Sequence, residues 1–194
     1  MGMTYNGTQL VWDGVGSWNA SSGLPDYQNS LNQDLSDKGP IPEGTYRVPL
    51  KLGKSATVTS YKRDRGGNVT TAVLDTRSEI ESLQCVRSPL DRSSVLLFNQ
   101  WGSNRVRITK IKIKRAKAAH RDGFYLHDST KGFSHGCIEL DTAFFKALRD
   151  YATAKSKKEG HVTLIVDYGP DAMRKGISTY GNTKKTGEVL VQCN

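Results

Sequence analysis

At 194 residues, with 36% hydrophobic and 24% charged residues, the chain is long enough for one domain with a sizeable core and too apolar to be disordered throughout. Its formal charge of +9 suits a polyanionic surrounding, either cell envelope or nucleic acid. No zinc-finger spacing, aromatic RNA-binding signature or helix-turn-helix pattern accompanies that charge, so a nucleic-acid function has no support. No run approaches the ~20 apolar residues of a membrane span, and residues 1–8 lack the basic and apolar regions of a secretory signal, so synthesis in the cytoplasm is expected. The three cysteines, Cys85, Cys137 and Cys193, form no Cys-x-x-Cys pair, which excludes a disulfide framework and a structural zinc module. Cys85 and Cys193 are expected to be plain thiols; pairing in an oxidising envelope would leave Cys137 free.

Short alternating segments bounded by Gly, Pro, Asn and Ser predict strands, in chain order, at 8–12, 44–48, 56–61, 71–74, 95–98 and 105–114. A weaker helix is predicted around 76–85. Basic residues concentrate in 105–115 and 155–158; the first group alternates like a strand with one solvated face. Its apolar phase shifts between Val106/Ile108 and Ile111/Ile113, which either a bulge or a tight turn would explain. Phe144, Phe145, Leu148, Tyr151 and Ala152 form one stripe at helical spacing, with Asp141 or Thr142 as cap and Gly160 placed to end the helix. A buried strand at 161–167 follows. Beyond Tyr168 the composition turns to Gly, Asp, Lys, Thr and Asn. The expected organisation is a catalytic domain over 1–168 and an extension over 169–194 with one short strand at 188–192.

Phe124-Tyr-Leu-His-Asp-Ser-Thr-Lys-Gly-Phe-Ser-His-Gly-Cys-Ile-Glu-Leu140 carries the chemistry. A free thiol, with a pKa of roughly 8.5, is mostly protonated at neutral pH and needs a base to act as a nucleophile. His127 lies ten positions before Cys137, across a turn composition that can fold the two together. His135, two residues from Cys137, would support the thiolate or shape the turn. His127, His135 and Cys137 are also good zinc ligands, but no fourth ligand stands at recognisable spacing, so no metal is expected.

Ser134-His135-Gly136-Cys137 resembles the Ser/Thr-His-Gly-Cys signature of the YkuD-type L,D-transpeptidases, which remodel peptidoglycan. Gly39-Pro-Ile-Pro-Glu-Gly-Thr-Tyr-Arg-Val48 is similar to the Thr-Pro-x-Gly-x-Tyr/Phe turn and strand of that family. Gln9-Leu-Val-Trp-Asp-Gly-Val-Gly-Ser-Trp18 with Ser21-Ser-Gly23 looks like its opening strands. The short His-to-Cys loop and Trp101-Gly-Ser-Asn-Arg-Val106 resemble the branch formed by type VI secretion effectors. The likeness covers roughly 5–166 and implies a mainly β fold, a sandwich or barrel of mixed sheets, with one principal helix after the catalytic Cys. Glu139 departs from the Arg or Asn usual after the Cys-Ile pair, which puts substrate contacts there in doubt.

The resemblance implies that Cys137 attacks a carbonyl of a peptidoglycan stem tetrapeptide to form a thioester, with His127 as general base. Gly136 would let the backbone approach the substrate, with the N–H groups of Gly136 and Cys137 as oxyanion donors. Ser134 and Asp128 would hold an imidazole tautomer or simply suit a turn. Trp101, Arg105 and Tyr125 would line the substrate groove, although core packing explains Trp101 and Tyr125 equally well. His120 and His161 carry no motif. No cofactor is implied. As an effector the protein would act in the periplasm after type VI delivery, with a cognate immunity protein and a secretion component as partners. A housekeeping L,D-transpeptidase with a leader removed before Met1, a catalytically silent cell-wall-binding module, and an unrelated cysteine peptidase or amidase are the competing readings.

Overall fold

The computed structural model describes residues 1–90, 96, 98, 100–129, 131–155 and 158–169. The chain opens with three strands, β1 (Gly2–Tyr5), β2 (Gln9–Trp12) and β3 (Gly16–Ser22), joined as an antiparallel meander. In β2 the alternation Gln9-Leu10-Val11-Trp12 sends Leu10 and Trp12 into the core and the other two outward, as the pleat requires. β4 (Gly44–Pro49) follows, then β5 (Leu52–Ser55), and a hairpin of β6 (Val58–Arg63) and β7 (Val69–Leu74). The Asp64 carboxylate closes that hairpin by accepting from the N–H groups of Gly66 and Asn68.

The remaining elements are β8 (Ile80–Ser82), β9 (Asn104–Arg107), β10 (Thr109–Ile113), β11 (Tyr125–His127), β12 (Ile138–Leu140), helix α1 (Thr142–Lys155) and β13 (His161–Val166). Among the described residues eleven strands form one mixed sheet in the order β10-β4-β13-β1-β2-β3-β12-β11-β9-β8-β5. Only Ile108 separates β9 from β10, yet β10 is one edge of that order and β9 lies near the other. The sheet therefore folds back on itself, and Val106 and Ile108 at the fold are buried. Among the described residues this is the mainly β, sandwich-like architecture, with one α-helix after the Cys137 segment. The phase shift in the basic run is a bulge: β10 pairs with β4 with a register shift between Lys110 and Lys112.

α1 packs its stripe of Phe144, Phe145, Leu148 and Ala152 on the β2–β3 face, where the Trp12 and Trp18 rings meet Phe144 at 6.3 and 5.3 Å. Asp141 is the cap, its Oδ1 accepting from Ala143 N at 2.8 Å. A smaller core beneath the β6–β7 hairpin gathers Ala56, Val58, Leu74, Leu83 and Val86, with Trp101 packed against it.

Several expectations are corrected. The segment expected to be a helix around 76–85 carries β8, because pairing with β9 satisfies its backbone and lets Glu81 meet Arg105. The strand expected at 161–167 is buried on one face only: Val162, Leu164 and Val166 point inward while Ile165 is exposed. Leu96 and Phe98 lie outside any strand and pack on the smaller core; positions 95 and 97 of the strand expected there lie outside the described residues. The basic run is not one solvated face, since Arg105 is buried and Lys110 donates to the carbonyls of Ala119 and Arg121. Cys85 is disulfide-bonded rather than a plain thiol. Cys193 and the strand expected at 188–192 lie outside the described residues.

Candidate active site

Two short parallel strands set the site. β11 and β12 pair with Leu126 opposite Ile138 and His127 opposite Glu139. Directly paired residues of parallel strands project to the same face, so His127 and Glu139 share one face, and the period of two returns to that face at Cys137, just before β12. His127 and Cys137 line one cleft together with Gln100, Trp101, Lys131, Ser134 and His135. A second cleft, lined by Asp37, His120, Arg121 and Asp122 among others, shares His135 and Cys137 with the first. The half-buried Cys137 thus stands where two clefts meet.

The turn that presents Cys137 is held by Ser134. Its hydroxyl accepts from Gly23 N (3.3 Å) and Gly136 N (3.2 Å) and donates to Cys137 O (2.5 Å), while its own N–H donates to Gly23 O. One donor and two acceptor sites of the hydroxyl are thereby used. Gly136 has φ 111°, and a Cβ there would sit 2.3 Å from Arg121 Nη2. Ser22 joins the layers: its hydroxyl accepts from Ile41 N (2.8 Å) and donates to Gly136 O (3.3 Å). Arg121, buried, donates to the carbonyls of Gln33, Gly39 and Pro40. The opening strands, the Gly39–Pro42 stretch and the Ser-His-Gly-Cys turn, far apart in sequence, are therefore one hydrogen-bonded unit.

His127 is buried, with its ring 5.5 Å from that of Trp101. Burial, with a smaller push from Lys131, lowers its pKa to about 3, which keeps the imidazole neutral at physiological pH. Its Nδ1 lies 3.2 Å from Ser129 Oγ, and Ser129 Oγ donates to Glu139 Oε2. Glu139 Oε1 accepts from Gly132 N at 2.7 Å. Burial pushes the Cys137 thiol up to about 11; a hydrogen bond from the Tyr125 backbone and the charges of Lys131, Arg121 and Arg105 pull the other way. At rest the pair is thiol and neutral imidazole, so the ring is unprotonated and free to accept a proton.

The other expected residues fall as follows. Asp128 does not approach the imidazole: its carboxylate accepts from Ser103 N, Asn104 N and Asn104 Nδ2 and so fixes the start of β9. Ser134 likewise serves the turn, not an imidazole. Arg105 is not a groove cation; it is buried, donates from Nε to Glu81 at 2.8 Å and from Nη2 to the Asp75 carbonyl at 2.6 Å, and stacks over Trp101 and Tyr125. Tyr125 is buried beneath Trp101 at 5.0 Å between ring centres, which leaves Trp101 as the aromatic wall of the cleft. His135 is exposed, its Nδ1 bonded to Asp37 O at 2.8 Å, which puts its proton on Nδ1 because a carbonyl only accepts. The Gly136 N–H is already committed to Ser134.

Sequence reading took Glu139 only as a departure at a substrate-contact position, and missed Ser129, Lys131 and Gln28, whose amide donates to Gly132 O at 2.8 Å and pins the loop between the two strands. The two-residue offsets 127/129 and 137/139 beside a strand were an available signal for Ser129 and for the role of Glu139. Gln28 carried none.

A family model for the Tlde1 domain matches residues 16–163, from the first residue of β3 into β13, and spans both the buttressing turn and the Cys137 segment. The chain belongs to the Tlde1 domain family. This is a family of type VI L,D-transpeptidase effectors, and membership implies a peptidoglycan-acting enzyme. No curated protein matches the chain. In this Tlde1 domain no described helix is long and apolar enough to cross a membrane.

Proposed function

We propose that this Tlde1 domain is a cysteine acyltransferase that acts on peptidoglycan stem tetrapeptides through a thioester, as an antibacterial effector delivered into the periplasm by a type VI system. The observation that carries the reading is the placement of His127 and Cys137 on one face and in one cleft by the β11–β12 register. His127 Nε2 takes the thiol proton as Cys137 Sγ attacks the carbonyl before the terminal D-residue. The proton then passes to the leaving amine, which departs as the free D-amino acid and leaves the thioester. Water releases a tripeptide; an amine gives a cross-link or a swapped D-amino acid. With the Gly136 N–H already used, the N–H of Cys137 is the oxyanion donor in this scheme. Trp101 forms the wall against which the stem peptide lies, and His135 sits at the rim shared by the two clefts. A cognate immunity protein and a secretion-system carrier belong to the same proposal.

Purified protein and its Cys137→Ala variant, incubated with isolated peptidoglycan and disaccharide tetrapeptides and resolved by mass spectrometry, test the reading. Cys137-dependent loss or exchange of the terminal D-residue is the expected result. Muropeptides unchanged by the wild-type protein would overturn it in favour of a silent wall-binding module.

A further inference from the structure

Glu139 stands where the resemblance leads one to expect Arg or Asn, and it is fully buried, so it touches no substrate directly. A carboxylate is costly to bury unless its oxygens are occupied. Both are: Oε1 accepts from Gly132 N at 2.7 Å, and Oε2 accepts the hydroxyl proton of the equally buried Ser129. A serine hydroxyl has one proton. Once that proton points at Glu139, Ser129 Oγ can only accept from His127 Nδ1, 3.2 Å away. Ser129 Oγ stands between the two register partners, within hydrogen-bond distance of His127 Nδ1 on one side and of Glu139 Oε2 on the other. An arginine at position 139 has no acceptor and could not set this direction.

We infer that Glu139, acting through Ser129, is a positioning residue that fixes His127 as its Nδ1–H tautomer and leaves Nε2 as the bare base for Cys137. This rests on the acyl-transfer reading for its catalytic consequence, but the tautomer itself does not. As Cys137 Sγ–H gives its proton to Nε2, the imidazolium keeps its Nδ1 proton on Ser129, and the carboxylate one hydroxyl away balances the new positive charge. No proton passes to Glu139. Among the described residues, Lys131 in the intervening loop pushes against a charged ring, and Arg105, the register partner of His127 on β9, is itself paired with Glu81 and Asp75; Glu139 is the carboxylate linked to the ring through Ser129.

The direct test is nitrogen-15 NMR of histidine-labelled full-length protein, with His127→Gln identifying the resonances of His127. Wild type is expected to show a protonated Nδ1 and an unprotonated Nε2, and Ser129→Ala to lose that preference. Alkylation of Cys137 by iodoacetamide at neutral pH, followed by mass spectrometry of its peptide, is expected to slow about tenfold in Ser129→Ala and in Glu139→Gln, less than the roughly hundredfold or more of a whole general base because the imidazole itself stays. Thermal melts confirm folding; should Glu139→Gln fail to fold, Ser129→Ala carries the test. A His127 protonated on Nε2 in the wild type, a tautomer unmoved by Ser129→Ala, or wild-type alkylation rates in the folded variants would each overturn the assignment. Neither readout needs substrate. If tautomer and alkylation behave as expected while muropeptides stay unchanged, the functional reading falls and the positioning role stands. Cys137-dependent turnover with wild-type rates in both variants gives the converse.

Discussion

Ser134 shows how one hydroxyl can hold a cysteine turn without touching the thiol. Its three bonds hold the backbone on either side of Cys137, so Ser134→Ala leaves the buried N–H groups of Gly23 and Gly136 without an acceptor. A loss of about 1–3 kcal/mol per orphaned group is expected, read as a lower denaturation midpoint together with slower Cys137 alkylation. Gly136→Ala places a Cβ against the Arg121 guanidinium at a φ that L-residues rarely adopt, and is expected to cost at least about 1–3 kcal/mol. His127 sets a pH dependence. Its folded pKa of about 3 lies below the 6.5 of an unperturbed histidine, so the unfolded chain takes up a proton that the native state refuses. Its contribution is complete above about pH 6.5 and is lost as pH falls toward 3. Between neutral pH and about pH 4.5, urea denaturation should show roughly 2 kcal/mol less acid destabilisation in His127→Gln than in wild type.

At the scale of elements, β8, β9, β11, β12 and β3 carry Glu81, Arg105, His127, Glu139 and Ser21 in one register row, all buried. Strands are usually joined by apolar neighbours, and here a polar row crosses five of them. Burial, with a hydrogen bond to Asp75, raises the Glu81 carboxyl to about 7 and outweighs the opposing pull of Arg105. Arg105→Met removes the partner and leaves a buried acid, with an expected cost of about 3–5 kcal/mol in chemical denaturation. Each of these strands was foreseen or missed according to pattern. β2, β4 and α1 were legible because their apolar residues recur at periods of two or 3.6. β8 was not, because three residues centred on a glutamate show no period, and it is pairing with β5 and β9 that makes it a strand.

For the whole molecule, the step from β9 to β10 across Ile108 turns a wide sheet back on itself and shapes the core that supports β11 and β12. Ile108→Ala at that fold is expected to cost about 2–5 kcal/mol, measured by thermal or urea unfolding. The amino-acid sequence by itself determined the mainly β class, the helix after Cys137, and three separated motifs pointing to one family, because these rest on local residue order and period. The tertiary structure alone decided what those motifs do together: Gly23, Ser22, Ile41 and Arg121 close on the Cys137 turn, Asp128 and Arg105 are taken by structural partners, and Ser129 with Glu139 reaches His127. Hydrogen bonds between residues a hundred positions apart leave no period in a sequence, and a buried charge looks there like any exposed one until its partner is brought beside it.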